Sequence, residues 1–491
     1  MFEEVFGIYV PDAGGALWVG LLVALLVFGD FSRVLSRRNL ALLGLLAAAP
    51  LLNDIGRWGF NKRPDIAPWW WTAVFLVLLG HTVWAFVLAG GKPRSAWQPN
   101  LPKAALPVIG ALLIGMNVLT GLAKHPEDAG VYIGIGAQRW IETGSLPYGD
   151  PQLVGPETTG YGAASTYGPI LYLTHVPLVL ATGGGHNPVD APVKDRAVYH
   201  RPSTLATKIA AILFHLAGLL GLFLVVRGLA GTPSAWGAVI LYASMPYLAG
   251  LDGGNGSISG IRFISHIAPS ALLLLALASV SRPFISGLWF AASAGALFYP
   301  VFIFPAWLAW RLWRKDRPLR FLAGAAAGGI AIAALVIAFM PGHGPVDAIQ
   351  TFLRAIIEHQ EGSGPHQYGI SNFGFWGTHD GLAALFHTPL VGSSPFTSLI
   401  FLIFLGLAAL ACWVVRNGKL GALAAASAGV AAAVQLWKTH GGGTYIEWYL
   451  PFLIVALVVG SREAGAGSRK QGPLSSGTAG AEAAVEEFSG V

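Results

Sequence analysis

Residues 125–151 read HPEDAGVYIGIGAQRWIETGSLPYGDP, and after a polar spacer TYGPILYL occupies 166–173. Glu127, Asp128, Arg139, Glu142 and Asp150 gather here between two strongly apolar segments. One is Ala104–Leu122; the other opens at Tyr167, Gly168 and Pro169. Charges confined to the gap between hydrocarbon-compatible runs mark a membrane–water boundary. The stretch therefore reads as a polar loop at the surface of a membrane-embedded chain.

Composition agrees. Of 491 residues, 54% are hydrophobic and 11% charged, with a mean hydropathy of +0.60. A soluble domain of this size needs a polar exterior that so few charges cannot supply. Apolar runs of about 17 to 25 residues recur along nearly the whole length, enough to cross a ~30 Å hydrocarbon layer as helices. The fold class is all-α, a polytopic transmembrane bundle with short interfacial helices in its extracytoplasmic loops. The single cysteine, Cys412, lies in an apolar run, which excludes an intramolecular disulfide and a cysteine metal site. The net charge of +6 is carried by short basic clusters between spans, so it speaks for topology and against nucleic acid as a partner. The N-terminal stretch lacks a basic region followed by a small-residue cleavage site, so the first span is expected to direct insertion.

Spans are expected near 16–34, 40–52, 69–89, 104–122, 167–182, 205–226, 235–248, 266–280, 284–313, 321–340, 399–415, 420–437 and 449–460. Taking 284–313 as one broken helix gives about thirteen crossings and leaves the 252–262 loop cytoplasmic. Making it two spans moves that loop outside and requires another segment to be re-entrant. The basic loops with Arg33, Arg37 and Arg38 and with Lys92, Arg94 and Lys103 belong in the cytoplasm, which places the N-terminus and residues 123–166 outside. The cluster RLWRKDRPLR at 311–320 is cytoplasmic as well, and the long loop 341–395 outside. Residues 1–103 form an N-terminal group of three spans, 104–460 the main module, and 461–491 a disordered cytoplasmic tail.

At 100° per residue, Asp128, Tyr132, Ile135, Arg139 and Glu142 share one helical face, with Ile133, Ala137, Trp140 and Ile141 opposite. The expectation is an interfacial amphipathic helix, apolar side in the bilayer boundary and acidic side toward an aqueous cavity. It starts at Pro126 and the two acids and stops at Thr143–Gly144. The acids serve either as a cap and solvated loop charges or as chemistry: a carboxylate at such a boundary can take the proton of a sugar hydroxyl attacking an activated anomeric carbon.

The order Asp128, Tyr132, the small-residue run to Gly144, ProTyrGly at 147–149 and TyrGlyPro at 167–169 resembles the GT-C membrane glycosyltransferases, most closely the family 87-like group. GlyAsnGlySer (254–257), PheTyrPro (298–300) and TyrIleGluTrpTyrLeuPro (445–451) are similar more loosely, so the resemblance covers roughly 104–460. It implies an inverting hexosyl- or pentosyltransferase of the cell envelope, mannosyltransferase-like, without cofactor or metal. The donor would be a polyprenyl-phosphate sugar and the acceptor a glycan or glycolipid, with Asp128 as general base on the extracytoplasmic side of the cytoplasmic membrane. Two departures stand out. Phe298 occupies a position where some members carry Lys, and three spans precede the acidic loop in addition to the usual arrangement.

The substrate-contact candidates are Glu127, Tyr132, Arg139, Tyr148, Tyr167, His266, Tyr299, Asn372, Lys438, His440 and Tyr445. Arg139 is read as a salt-bridge partner of Asp128 or Glu142 ahead of a phosphate contact, with Glu142 preferred and Asp150 an ordinary loop acid. Lys438, His440 and glycines 441–443 form either an anion nest or a flexible hairpin. Asn372–Gly377 offers sugar stacking or an interfacial anchor. The histidines of 341–395 fit no metal-ligand spacing and read as a polar substrate-facing loop. His215, inside a span, is expected to hydrogen-bond a neighbouring helix. The alternative reading is a transporter or flippase of lipid-linked sugars, which should show repeated halves and paired charges at mid-depth; a scaffold without catalysis leaves the acidic loop unexplained.

Overall fold

Proline opens many of the helices: Pro169, Pro233, Pro283, Pro300, Pro318 and Pro451 each stand at the first or second helical position, where the missing N–H costs nothing. The computed structural model describes residues 13–48, 51, 67–91, 95–123, 126, 128–150, 162–182, 196–249, 261, 263–361, 394–437 and 443–460. Among these residues the secondary structure is entirely helical. In order the helices are α1 (Ala13–Phe28), α2 (Arg37–Leu46), α3 (Ala67–Gly90), α4 (Ala105–Ala123), α5 (Asp128–Thr143), α6 (Pro169–Ala181), α7 (Arg196–Ala230) and α8 (Thr232–Ala243). There follow α9 (Ile264–Ala278), α10 (Pro283–Ala296), α11 (Pro300–Arg314), α12 (Pro318–Ala338), α13 (Pro345–Glu361), α14 (Ser394–Val414), α15 (Leu420–Trp437) and α16 (Leu450–Val459). Among the described residues six segments, within α3, α4, α7, α12, α14–Asn417 and α15, are long and apolar enough to cross a membrane, and shorter apolar helices accompany them.

Side-chain pairings fix the direction of neighbours. Ser286 Oγ donates to Ala276 O and Ser293 Oγ to Pro269 O, so α9 and α10 are antiparallel. Gly218 lies against Ala271 and Gly221 against Leu274, so α7 runs parallel to α9. Gly287 meets Phe321 and Gly324 while Gly295 meets Ile332, so α10 and α12 are parallel. One end of the bundle is basic, with Arg38, Arg282, Arg314, Lys315, Arg317 and Arg416. There Arg314 Nη1 donates to Gly418 O, Asn417 Nδ2 to Ala89 O, and Trp97 N to Val458 O. The opposite end carries α5, reached through α4, whose Gly110 touches Trp236 and whose Asn117 bonds Ala243 O, so α4 and α8 are parallel.

Two sequence expectations change. Residues 284–313 are not one broken helix. The chain turns extended at Leu297 (φ −154°, ψ 155°), and α11 returns to the basic end, where Arg311 Nη2 donates to Val280 O beside the start of α10. Ile261 and Phe263 consequently stand at the α5 end, with Ile261 N bonded to Leu248 O. The expected fifth span is the 13-residue α6, an apolar helix shorter than the six segments long enough to cross a membrane. Gly168 N bonds Ala296 O where α10 ends, and Val179 packs with Ala137 and Ala206 near the start of α7. A helix that starts at the end of α10 and packs on Ala206, Ala210 and Ala211 of α7 stands at the α5 end of the bundle, beside the first part of the apolar run of α7. Hydropathy does not separate the two cases, because protein and lipid bury a leucine equally well.

Candidate functional site at the acidic end of the bundle

Helix α5 begins at Asp128, and its next twelve residues are buried or half-buried. Ile133 and Trp140 join a core with Leu171, Tyr172, Ala210 and Ala211, so the apolar face is buried in protein rather than in the bilayer boundary. The opposite face is covered too: Val131, Tyr132 and Ile135 pack with Ala164 of the 3-10 turn Gly162–Ser165. The expected interfacial helix is an internal one. Gly136 shows why the sequence tolerates helix-weakening glycines, since a Cβ there would stand 2.5 Å from the Tyr172 ring and 2.7 Å from Ala164 O. The helix stops at Gly144, whose φ of +71° an L side chain rarely adopts.

The pairing inside the stretch differs from expectation. Arg139 Nε donates to Asp150 Oδ2 at 2.5 Å, with side-chain exposures of 17% and 13%. Glu142 Oε1 accepts instead from Gln138 Nε2 at 3.0 Å. Asp150 rather than Glu142 pairs with Arg139, because the LPYG turn folds Asp150 back under the guanidinium. Tyr148 Oη donates to Tyr167 O at 2.7 Å, and Tyr172 Oη donates to Ala164 O at 2.5 Å and accepts from Tyr167 N. Burial, with Tyr172 beside it, holds the Tyr148 phenol well above its ordinary value, so it stays a neutral donor. Trp140 meets Phe339 edge-on at 4.8 Å, and Leu146 N bonds Phe339 O, tying the stretch to the end of α12. Tyr148 and Tyr167 thus act as struts that hold the acidic stretch in place.

A second polar centre lies deeper. His266 in the first turn of α9 faces Glu447 across 3.4 Å (Nδ1 to Oε2), with side-chain exposures of 5% and 0%. A column of rings runs past it: Phe263 on His266 (4.7 Å), His266 on Tyr445 (4.4 Å), Tyr445 on Trp448 (4.2 Å) and Trp448 on Tyr299 (4.2 Å). Trp448 Nε1 donates to Ser265 O. Helices α9, α11 and α16 all begin here, and their N-terminal dipoles favour the carboxylate. The non-helical segment before α16 is held by Gln435 of α15: its Oε1 accepts from Gly443 N and Tyr445 N, and its Nε2 donates to Ala431 O and Tyr445 O. Depth follows from His81, well inside α3. Its Nε2 bonds Gly44 O, a pure acceptor, so Nδ1 accepts from Tyr449 Oη at 2.9 Å. The 443–449 segment therefore lies within the bundle, where irregular backbone persists only if protein satisfies it. The Tyr299 hydroxyl, buried beside it, makes no hydrogen bond among the described residues.

Of the candidates, the structure joins His266, Tyr299 and Tyr445 around Glu447, and separately Tyr132, Arg139, Tyr148 and Tyr167 around α5. Glu127, Asn372, Lys438 and His440 lie outside the described residues, and of Asp128 only the backbone, opening α5, is described. His215 does meet a neighbouring helix, with Asn117 Nδ2 of α4 3.4 Å from its Nε2. Glu447 and Gln435 are not among the residues the sequence singles out. The signal for Glu447 was an acid three residues ahead of the wholly apolar α16. No protein-family model matches the chain, and neither does any curated protein or solved structure.

Proposed function

We propose that the chain is an inverting membrane glycosyltransferase that moves a sugar from a polyprenyl-phosphate donor to a glycan or glycolipid acceptor. Asp128 takes the proton of the attacking acceptor hydroxyl, the new glycosidic bond forms with inversion, and the polyprenyl phosphate leaves with the bonding electron pair. The observation that carries the reading is the placement of α5. It is a packed helix, pinned by Arg139–Asp150 and the Tyr148–Tyr167 strut, and its first residue, Asp128, stands at the end of the bundle opposite the basic one. Solvated loop charges need no such scaffold.

On this reading the basic end faces the cytoplasm and α5 lies outside it. The chain then crosses thirteen times, by α1–α4, α7–α12 and α14–α16, leaving α5, α6 and α13 beyond the membrane. The alternation of helix direction supports that arrangement, and the GT-C-like assignment rests on the resemblance of the first loop. The test is transfer in vitro from a panel of polyprenyl-phosphate sugars by the purified protein; no transfer from any of them, to any glycan or glycolipid offered, contradicts the reading.

One observation favours the second reading, a transporter or flippase of lipid-linked sugars. His266 and Glu447 form a paired, buried acid and base within the bundle, the feature expected of a proton-coupled carrier. Vesicles that move a fluorescent lipid-linked sugar across the bilayer without transferring it would select this alternative.

A further inference from the structure

We infer that Lys208 holds the phosphate of a polyprenyl-phosphate lipid at the joint between α4 and α5; the choice of lipid rests on the glycosyltransferase reading. Lys208 stands early in the apolar run Thr204–Ala230 of α7. Leu205, Leu213, Leu216, Leu220 and Leu224 are exposed and mark the face of α7 that meets lipid. At 100° per residue Lys208 points about 110° away from the centre of that stripe and within about 20° of His215, which is buried. The side chain is thus half-buried on the inner side of α7, whereas a long side chain reaching for bulk headgroups would project from the lipid face.

Its surroundings explain part of its presence. Nζ donates to Leu122 O at 2.8 Å, a cation on the C-terminal carbonyls of α4. Thr207, next to it, donates to Gly130 O of α5 at 2.8 Å, so this turn of α7 grips both sides of the joint that leads into Asp128. Capping α4 needs one donor and no charge, whereas an ammonium has three donors. Among the described residues no carboxylate pairs with Lys208. A half-buried cation on the inner side of a membrane helix, with no carboxylate paired to it among the described residues, is expected along a substrate path. The chemistry supplies the anion: the departing phosphate needs a cation close to the base that activates the acceptor, and a lysine binds phosphate as a point charge.

The test uses the full-length protein in phosphatidylcholine nanodiscs, titrated with a polyprenyl phosphate and with the uncharged polyprenol of the same length. Lys208→Gln keeps a donor for Leu122 O and removes the charge. It should weaken polyprenyl-phosphate binding by about tenfold or more, leave polyprenol binding and the thermal midpoint unchanged, and be rescued by Lys208→Arg. Wild-type affinity in Lys208→Gln, equal loss for both lipids, or no phosphate-dependent binding by the wild type overturns the inference. Displacement by phosphatidylglycerol at equal concentration also overturns it and assigns the lysine to bulk headgroups. Binding through Lys208 without any sugar transfer leaves the lysine assignment standing and removes the enzymatic reading.

Discussion

His266 Nδ1 stands 3.4 Å from Glu447 Oε2 with both side chains shut off from solvent, at a point where three helices begin. A buried pair of this kind is costly to break and cheap to replace whole. Glu447→Ala should therefore lower stability by about 3–5 kcal/mol, while the double change Glu447→Leu, His266→Phe should cost less than the single one. Thermal unfolding in detergent measures both. A double variant less stable than Glu447→Ala would mean that the pair is not one unit.

Gln435 uses its whole amide to hold the segment before α16, accepting from Gly443 N and Tyr445 N and donating to Ala431 O and Tyr445 O. Gln435→Leu leaves buried backbone groups unsatisfied at about 1–3 kcal/mol each. It should loosen the segment enough for a cysteine at Thr444, 3% exposed in the wild type, to react with a small thiol reagent. An unchanged labelling rate would show that the ring column, rather than Gln435, holds the segment.

The packing of α10 on α12 gives a contrast within one helix. A Cβ on Gly324 would stand 2.0 Å from Phe284 O, which is backbone and cannot swing aside, whereas Gly329 has nothing within 4 Å. Gly324→Ala should destabilise by about 1–3 kcal/mol through overpacking. Gly329→Ala should be neutral or stabilising by up to about 1 kcal/mol, because alanine is the better helix former. Unfolding midpoints of the two variants decide the matter, and equal effects would contradict this packing.

The exchange of partners at Arg139 is testable in the same way. Asp150→Ala should destabilise the acidic stretch, because it strands a guanidinium that is only 17% exposed, while Glu142→Ala should have little effect. Limited proteolysis near residues 144–150 reports the difference, and equal sensitivity would restore Glu142 as the partner.

What the sequence discloses here follows from what apolar runs encode. Periodicity and length mark where helices lie, and proline and charge clusters mark their ends, so α3, α4, α12, α14 and α15 fall close to their expected spans, while α7 begins at Arg196, ahead of its expected start at 205. The destination of an apolar face is not encoded. Ile133 and Trp140 would look the same facing lipid, yet they face Tyr172 and Ala210. PheTyrPro at 298–300 announces a break, but only the long-range bond from Arg311 to Val280 shows that the break is a reversal. Glu447 was hidden for a related reason: a lone carboxylate gains meaning from His266, on a distant helix.

That reversal has its own consequence for topology. With Cys412 replaced by serine, cysteines placed at Ser281 and Arg320 should react from one side of the membrane, and cysteines at Ser145 and Gly344 from the other. A single broken helix over 284–313 puts positions 281 and 320 on opposite sides, so split labelling of that pair would contradict the antiparallel α10 and α11.

The most direct measurement is single-turnover transfer from a polyprenyl-phosphate sugar by the purified protein, wild type against Asp128→Asn. With Asp128 as general base, the variant should keep its fold and donor binding and lose about 10²–10⁴-fold in rate. A folded Asp128→Asn variant that transfers sugar at the wild-type rate would contradict the account.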